Sequence, residues 1–206
     1  MWIDHVILGV RDLEEASARL LDEMGLASVP GGRHLAWGTA NQIVPLGPAY
    51  VELLAVVDRE AAGRNDVGRA VMASVEAREG LLGWCLGTTD LEAEAVKRGL
   101  SVAEGARELP TGETVRWRWA GFDRALAEPN LPFFITWKIP PGLHPGRMEA
   151  PHRTKPEGIA WVQVSGDEQR LQAWLEGPQL PVRVIDGRPA ILSVGIATVQ
   201  GEIVLR

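Results

Sequence analysis

The sequence predicts an α+β protein in which βαβββ units form curved mixed sheets around a cavity. Three observations carry this. The chain opens on a strand pattern followed at once by a capped amphipathic helix and further strands. The start of that helix, Asp12-Leu13-Glu14, recurs as Asp90-Leu91-Glu92, 78 residues further on. A strand–helix–strand order then returns near the C-terminus. One such unit makes a strongly curved sheet with an uncovered face, so two side by side close around a shared cavity.

Trp2 to Val10 is rich in Ile and Val and reads as the first strand. Asp12 stands three residues before Glu15, the spacing of a capping box variant. Leu13, Ala16, Leu20, Leu21 and Met24 follow on one helix face, and Gly25 is a natural stop. Pro30-Gly31-Gly32 has the chemistry of a turn. An extended stretch from Leu35 to Pro45 and a strand from Tyr50 to Val57 complete a first unit over residues 1–57. Residues 58–79 are charged but carry Val67, Ala70, Val71 and Val75 at helical spacing, which predicts a linking surface helix.

The second unit is expected over 81–139. Leu82 to Thr88 is a strand, Thr89 and Glu92 have capping-box spacing, and Gly99 ends the helix. Strands from Glu113 to Phe122 and Phe133 to Ile139 follow. Residues 140–156 hold prolines and histidines without periodicity, a loop whose length implies that it covers something. A third βαβββ unit is expected over 157–206, with a strand from Ile159 to Val164, a helix around Glu168 to Glu176 and extended segments beyond.

The composition sets bounds. Of 206 residues, 46% are hydrophobic and 23% charged, so the chain buries a core rather than remaining disordered. The formal charge of −6 repels nucleic acid and anionic membrane surfaces, so neither is expected as a partner. The single cysteine, Cys85, excludes an intramolecular disulfide and a cysteine-based zinc cluster. It is expected as a buried, inert thiol. No signal-peptide pattern or apolar run of membrane-spanning length occurs, which predicts a cytoplasmic protein. No nucleophile elbow, phosphate loop or dinucleotide fingerprint is present.

Eight tryptophans against one tyrosine and three phenylalanines is a skewed aromatic choice. Trp37, Trp84, Trp117, Trp119, Trp137 and Trp161 all fall on predicted strands. They either pack the core or line an apolar ligand cavity on the concave face of a sheet. In Arg116-Trp117-Arg118-Trp119 the alternation puts both indoles on one face and both arginines on the other.

Asp4-His5-Val6 on the first strand, Gly31-Gly32-Arg33-His34, Trp37-Gly38-Thr39-Ala40-Asn41, and Tyr50-Val51-Glu52-Leu53-Leu54 occur in this order. Together they resemble the glyoxalase-like branch of the vicinal oxygen chelate superfamily, which includes glyoxalases, bleomycin-resistance proteins and extradiol dioxygenases. The resemblance implies the fold of that superfamily. It also implies a divalent metal held by His5 and Glu52, of unspecified identity, with Glu52 as the catalytic carboxylate that moves a proton. Ligand contacts are expected from Arg33, His34, Trp37, Thr39, Asn41 and Trp84. The second unit departs from the pattern, since Gly83 stands where a second histidine is expected and the strand from Phe133 has no acid. That argues against glyoxalase activity in the strict sense.

The same residues have plainer readings. His5 is then only hydrogen-bonded, Glu52 pairs with Arg33, and Asn41 caps a turn. Three functions stay open: a metal-dependent lyase, isomerase or dioxygenase acting on vicinal oxygens; a non-catalytic protein that sequesters a small-molecule ligand, as bleomycin-resistance proteins do; and an interaction module. The third unit has an apolar face formed by Trp161, Val162, Val164, Ile191, Val194, Ile196 and Val204. That face must be covered, either by the first unit or by a second copy, and a homodimer is the favoured expectation.

Overall fold

The structure is a computed structural model that describes residues 1–108, 114–176 and 179–206. Strand β1 (Trp2–Gly9) leads into helix α1 (Leu13–Met24), whose cap is Asp12. One Asp12 carboxylate oxygen accepts from Glu14 N at 2.8 Å and Glu15 N at 2.9 Å, satisfying two of the free donors at the helix start. Strands β2 (Val29–His34), β3 (Thr39–Pro45) and β4 (Tyr50–Val56) follow. The linker folds as two helices rather than the single one expected, α2 (Arg59–Gly63) and α3 (Asp66–Ala77). Asp58 and Asn65 cap them separately, accepting from Ala61 N and Gly68 N.

The second unit runs β5 (Gly80–Gly87), α4 (Leu91–Arg98), β6 (Val102–Glu108), β7 (Thr114–Ala120), α5 (Phe122–Ala127) and β8 (Phe133–Trp137). Its helix is capped by Asp90, not by Thr89, through Ala93 N at 3.0 Å. Asp12 and Asp90 are therefore equivalent caps, and Gly25 and Gly99 equivalent left-handed stops at φ 67° and 63°. The expected strand start at Glu113 lies outside the described residues.

Two elements of this unit escape sequence pattern. β6 reads Val-Ala-Glu-Gly-Ala-Arg-Glu, with no apolar alternation and little β propensity. Gly105 belongs there because a Cβ would sit 2.3 Å from the Trp117 indole on the neighbouring strand. α5 starts after Gly121 without any side-chain cap, so no cap residue announces it.

Both units share one wiring. In each, the first strand lies beside the fourth and parallel to it. They join through antiparallel pairing of β1 with β5, giving a curled eight-stranded sheet of order β2-β3-β4-β1-β5-β8-β7-β6. Helices α1 and α4 pack their apolar residues Ala16, Leu20, Leu91 and Ala95 into the core on the convex side.

The last segment, β9 (Pro156–Ser165), α6 (Glu168–Leu175), β10 (Val182–Ile185), β11 (Ala190–Thr198) and β12 (Gly201–Leu205), makes a separate sheet of order β10-β9-β11-β12. Its element order repeats that of the other units, but its wiring differs. Its first strand lies between the second and third strands rather than beside the fourth. It does not replace the second unit as the first unit's partner around the concave cavity, and its apolar face is not left open. Val162, Val164, Val194 and Ile196 share one buried cluster with Val6, Leu8, Trp84, Leu86 and Phe134 of the large sheet. The face that favoured a homodimer is thus covered within the chain. Each such side chain contributes about 1.5–3 kcal/mol by leaving water. Trp161, expected on that face, lies outside this cluster, with the Arg183 guanidinium 3.8 Å from its ring centroid and its Nε1 donating to Glu202.

Candidate functional site

The concave side of the large sheet encloses a cavity of about 430 Å³ lined from both units. Alternation decides which residues reach it. On β1, His5 and Ile7 point inward while Val6 and Leu8 enter the core; on β4, Tyr50, Glu52 and Leu54 point inward. On β3, Asn41 and Ile43 do the same, and the register sets Ile43 beside Glu52.

Asp4 and His5 are adjacent in sequence and would face opposite sides of a regular strand. Here Ile3 pairs with Leu86 and His5 with Cys85, so Asp4 is an extra, unpaired residue, a β-bulge beside the site. The bulge brings the Asp4 carboxylate to His5 Nδ1 at 2.7 Å. The second oxygen of Asp4 accepts from Trp137 Nε1 at 3.1 Å and lies 3.1 Å from His144 Nε2. Asp4 is fully buried. Burial opposes its charge, but the hydrogen bonds and fields of His144 and His5 outweigh it and hold the carboxyl at about 2, below its usual 3.8.

These bonds define the tautomers. An ionised carboxylate only accepts, so His5 carries its proton on Nδ1 and His144 on Nε2. His144 Nδ1 is then free to accept from Gly146 N, at 3.1 Å. In its neutral form, His5 therefore presents a bare Nε2, 3.9 Å from a Glu52 carboxylate oxygen and too far for a hydrogen bond. The His5 ring is further fixed by stacking on Tyr50 at 4.5 Å and by the edge of Phe133.

Glu52 is held by Asn41, whose Nδ2 donates to it at 2.6 Å. Asn41 is oriented in turn by Gly32 N, which donates to Asn41 Oδ1 at 2.6 Å. This explains the glycines of β2. Pro30-Gly31-Gly32 is not a turn but the irregular part of a strand, where pairing shifts between Pro30 and Arg33. A Cβ on Gly31 would lie 2.0 Å from Asn41 Oδ1. The turn lies further on, at residues 35–38, and holds Trp37, which the sequence placed on a strand.

The structure thus brings His5, Glu52, Asn41, His34 and Trp37 to one cavity. Thr39 lies just behind them, its hydroxyl 3.0 Å from His34 Nδ1. Two expected ligand contacts fall elsewhere. Arg33 is exposed and does not line the cavity, because it stands on the other side of β2 from His34. Trp84 is wholly buried between the two sheets, where its Nε1 donates to Asn130 O. Cys85 is buried, and burial pushes its thiol well up, with the fields of Asp4 and Glu52 adding to the effect.

Sequence reasoning gave Asp4 no role of its own and did not join it to His144, a loop histidine that it held only as able to complete a metal site. A bulge has no composition signal, and His144 comes from a loop 140 residues away in sequence. The one hint was the length of that loop. It does cover the site: Pro145 lines the cavity beside His144.

The resemblance implied a divalent metal, so the donors can be tested against one. His5 Nε2 and Glu52 converge, and the Asp4 bond to His5 is the kind of carboxylate support that metal-bound histidines have. Among the described residues, however, no group of three or more His, Cys, Asp or Glu is arranged to hold a metal ion. Protein sites for transition metals ordinarily supply three or more ligands. The amide nitrogen of Asn41, a donor, faces Glu52. The residues present do not fit a resident metal.

Paired βαβββ units around one concave cavity, with the candidate side chains on the first and fourth strands, define a glyoxalase-like fold. The chain belongs to the Glyoxalase-like domain family, which it matches over residues 3–178. A hypothetical protein from Staphylococcus aureus is similar over 98% of this chain and 83% of its own, at 18% identity and a TM-score of 0.66. A methylmalonyl-CoA epimerase variant from Streptomyces coelicolor, in complex with 2-nitronate-propionyl-CoA, matches 66% of this chain and 96% of its own, at 18% identity and a TM-score of 0.47. The methylmalonyl-CoA epimerase from Mycobacterium tuberculosis matches 69% and 90%, at 20% identity and the same TM-score of 0.47. Likeness at these identities concerns the fold alone. No curated protein matches the chain. No helix among the described residues is long and apolar enough to cross a membrane.

Proposed function

We propose that this protein binds a small, largely apolar, oxygen-bearing molecule in the concave cavity and moves a proton on it with His5, as an isomerase or lyase. The observation that carries this reading is the buried Asp4–His5 pair. Asp4 fixes the imidazole and its tautomer, leaving Nε2 directed into the cavity, which is the arrangement of a general base with its orienting carboxylate. In the reaction, Nε2 takes a proton from a carbon next to a carbonyl, and the C–H electron pair moves into the enolate. The resulting imidazolium is stabilised by Asp4. Return of the proton to the same carbon gives an epimer. In a hydroxyketone, where the hydroxyl proton passes to the former carbonyl oxygen, its return to the neighbouring carbon gives an isomer. Departure of a β-substituent with its bonding pair gives the lyase product. No step needs an ion at His5 and Glu52. This departs from the assignment of Glu52 as the catalytic group: Glu52 lies in the wall of the site, across from the base.

The test is solvent-proton exchange. Small hydroxyketones, dicarbonyls and acyl thioesters are incubated with the protein in D2O and followed by NMR. At least one is expected to take up deuterium, with the rate falling about 10²–10⁴-fold in His5→Gln. Equal rates in both proteins would refute His5 as the base. The second reading is a ligand-sequestering protein, favoured by the indoles of Trp37, Trp117, Trp119 and Trp137 in the cavity wall. Ligand-dependent quenching of tryptophan fluorescence, with no exchange of any compound, would select it.

A further inference from the structure

We infer that the cavity selects organic cations, an ammonium or quaternary amine carried on an apolar or aromatic body. The inference rests on the cavity reading above but not on the proton transfer. Two opposed features carry it. One wall is electron-rich: Trp117 and Trp119 project from the same face of β7, Trp137 pairs across to Trp117 with ring centroids 5.7 Å apart, and Trp37 meets Trp119 at 5.7 Å, edge to face. Indole faces attract cations through their quadrupole, more strongly once water is excluded. The other wall holds Glu52, a carboxylate only 9% exposed. Among the described residues its hydrogen-bond donor is the neutral amide of Asn41 at 2.6 Å, and the ring of His5, which Asp4 already engages, lies 3.9 Å away.

A buried carboxylate whose hydrogen-bond donor is a neutral amide is poorly compensated, and a cation in the cavity would be its counter-charge. No described Arg or Lys lines the cavity to oppose that cation or to receive an anion. The field of buried Asp4 beneath the floor has the same sign. A cationic centre beside the reacting carbon would also offset the enolate charge that Glu52 alone would repel, so substrate class and chemistry agree.

The experiment compares probes of similar size by quenching of tryptophan fluorescence in the intact protein: benzyltrimethylammonium, benzyl alcohol and phenylacetate. The cation is expected to bind about tenfold or more tightly than either other probe. Glu52→Gln should reduce that preference by weakening the cation more than benzyl alcohol. Trp117→Leu, on the opposite wall, should weaken the cation more than the alcohol, and it keeps the test open should the Glu52 variant fail to fold. Phenylacetate binding as tightly as the cation, or a cation affinity unaltered by both substitutions, would overturn the inference while leaving the cavity reading intact. Failure of all three probes to bind would overturn both.

Discussion

Asp4 concentrates more of the site than any other side chain, since one buried carboxylate holds His5, Trp137 and His144 together. Its carboxyl sits at about 2 in the folded protein and near 3.8 when unfolded. The folded value is the lower one, so the stabilisation is complete above the unfolded pKa and is lost as pH falls from about 4 towards 2. By linkage it amounts to about 2 kcal/mol. Urea unfolding across that range should show this loss in the wild type and a flatter limb in Asp4→Asn. An unchanged pH dependence in the variant would mean that Asp4 is not the group being titrated. Asp4 and His5 were adjacent and visible in the sequence, yet alternation placed them on opposite faces. Only the bulge, set by the pairing of β1 with β5, turned them to one side.

At the scale of elements, β2 shows how an edge strand controls a residue two strands away. Gly31 leaves room for Asn41 Oδ1, Gly32 N binds it, and the Asn41 amide is thereby aimed at Glu52. Gly31→Ala is expected to cost about 1–3 kcal/mol by overpacking and to release Asn41 from Glu52. Denaturant unfolding reads the first effect. The amide resonance of Asn41, which should lose its bound environment, reads the second, and a resonance at the wild-type position would refute the coupling. Pro-Gly-Gly was read as a turn, and the structure makes it part of strand β2. Whether such a run is a turn or an irregular strand depends on what lies across from it. The helix caps needed no such context. Asp12, Gly25 and Gly99 act on their own backbones as expected, and although Asp90 rather than Thr89 caps α4, the repeat of Asp12-Leu13-Glu14 in Asp90-Leu91-Glu92 made the second unit readable.

For the whole molecule, the two sheets share one core, so they should unfold together. Ile196 is wholly buried in that core, and Ile196→Ala is expected to cost about 2–5 kcal/mol. The wild type should show one transition by both far-UV dichroism and tryptophan emission. Two separated transitions would mean that the C-terminal sheet is an independent unit. The sequence identified this sheet's apolar strands and the need to cover them; the cover is the convex face of the large sheet, to which the first unit contributes Val6 and Leu8 and the second Trp84, Leu86 and Phe134. The reasons follow from range. The strands β1 and β4 and the helices α1 and α4 arise from local periodicity and backbone bonding, and the sequence by itself determined them. The pairing of His5 with Glu52 as candidates came from the resemblance to the vicinal oxygen chelate superfamily. The tertiary structure alone decided that Trp84 packs between sheets while Trp117, Trp119 and Trp137 line the cavity, because an indole suits either face of a strand. It alone brought His144 to Asp4, since a contact across 140 residues leaves no periodic trace in the chain.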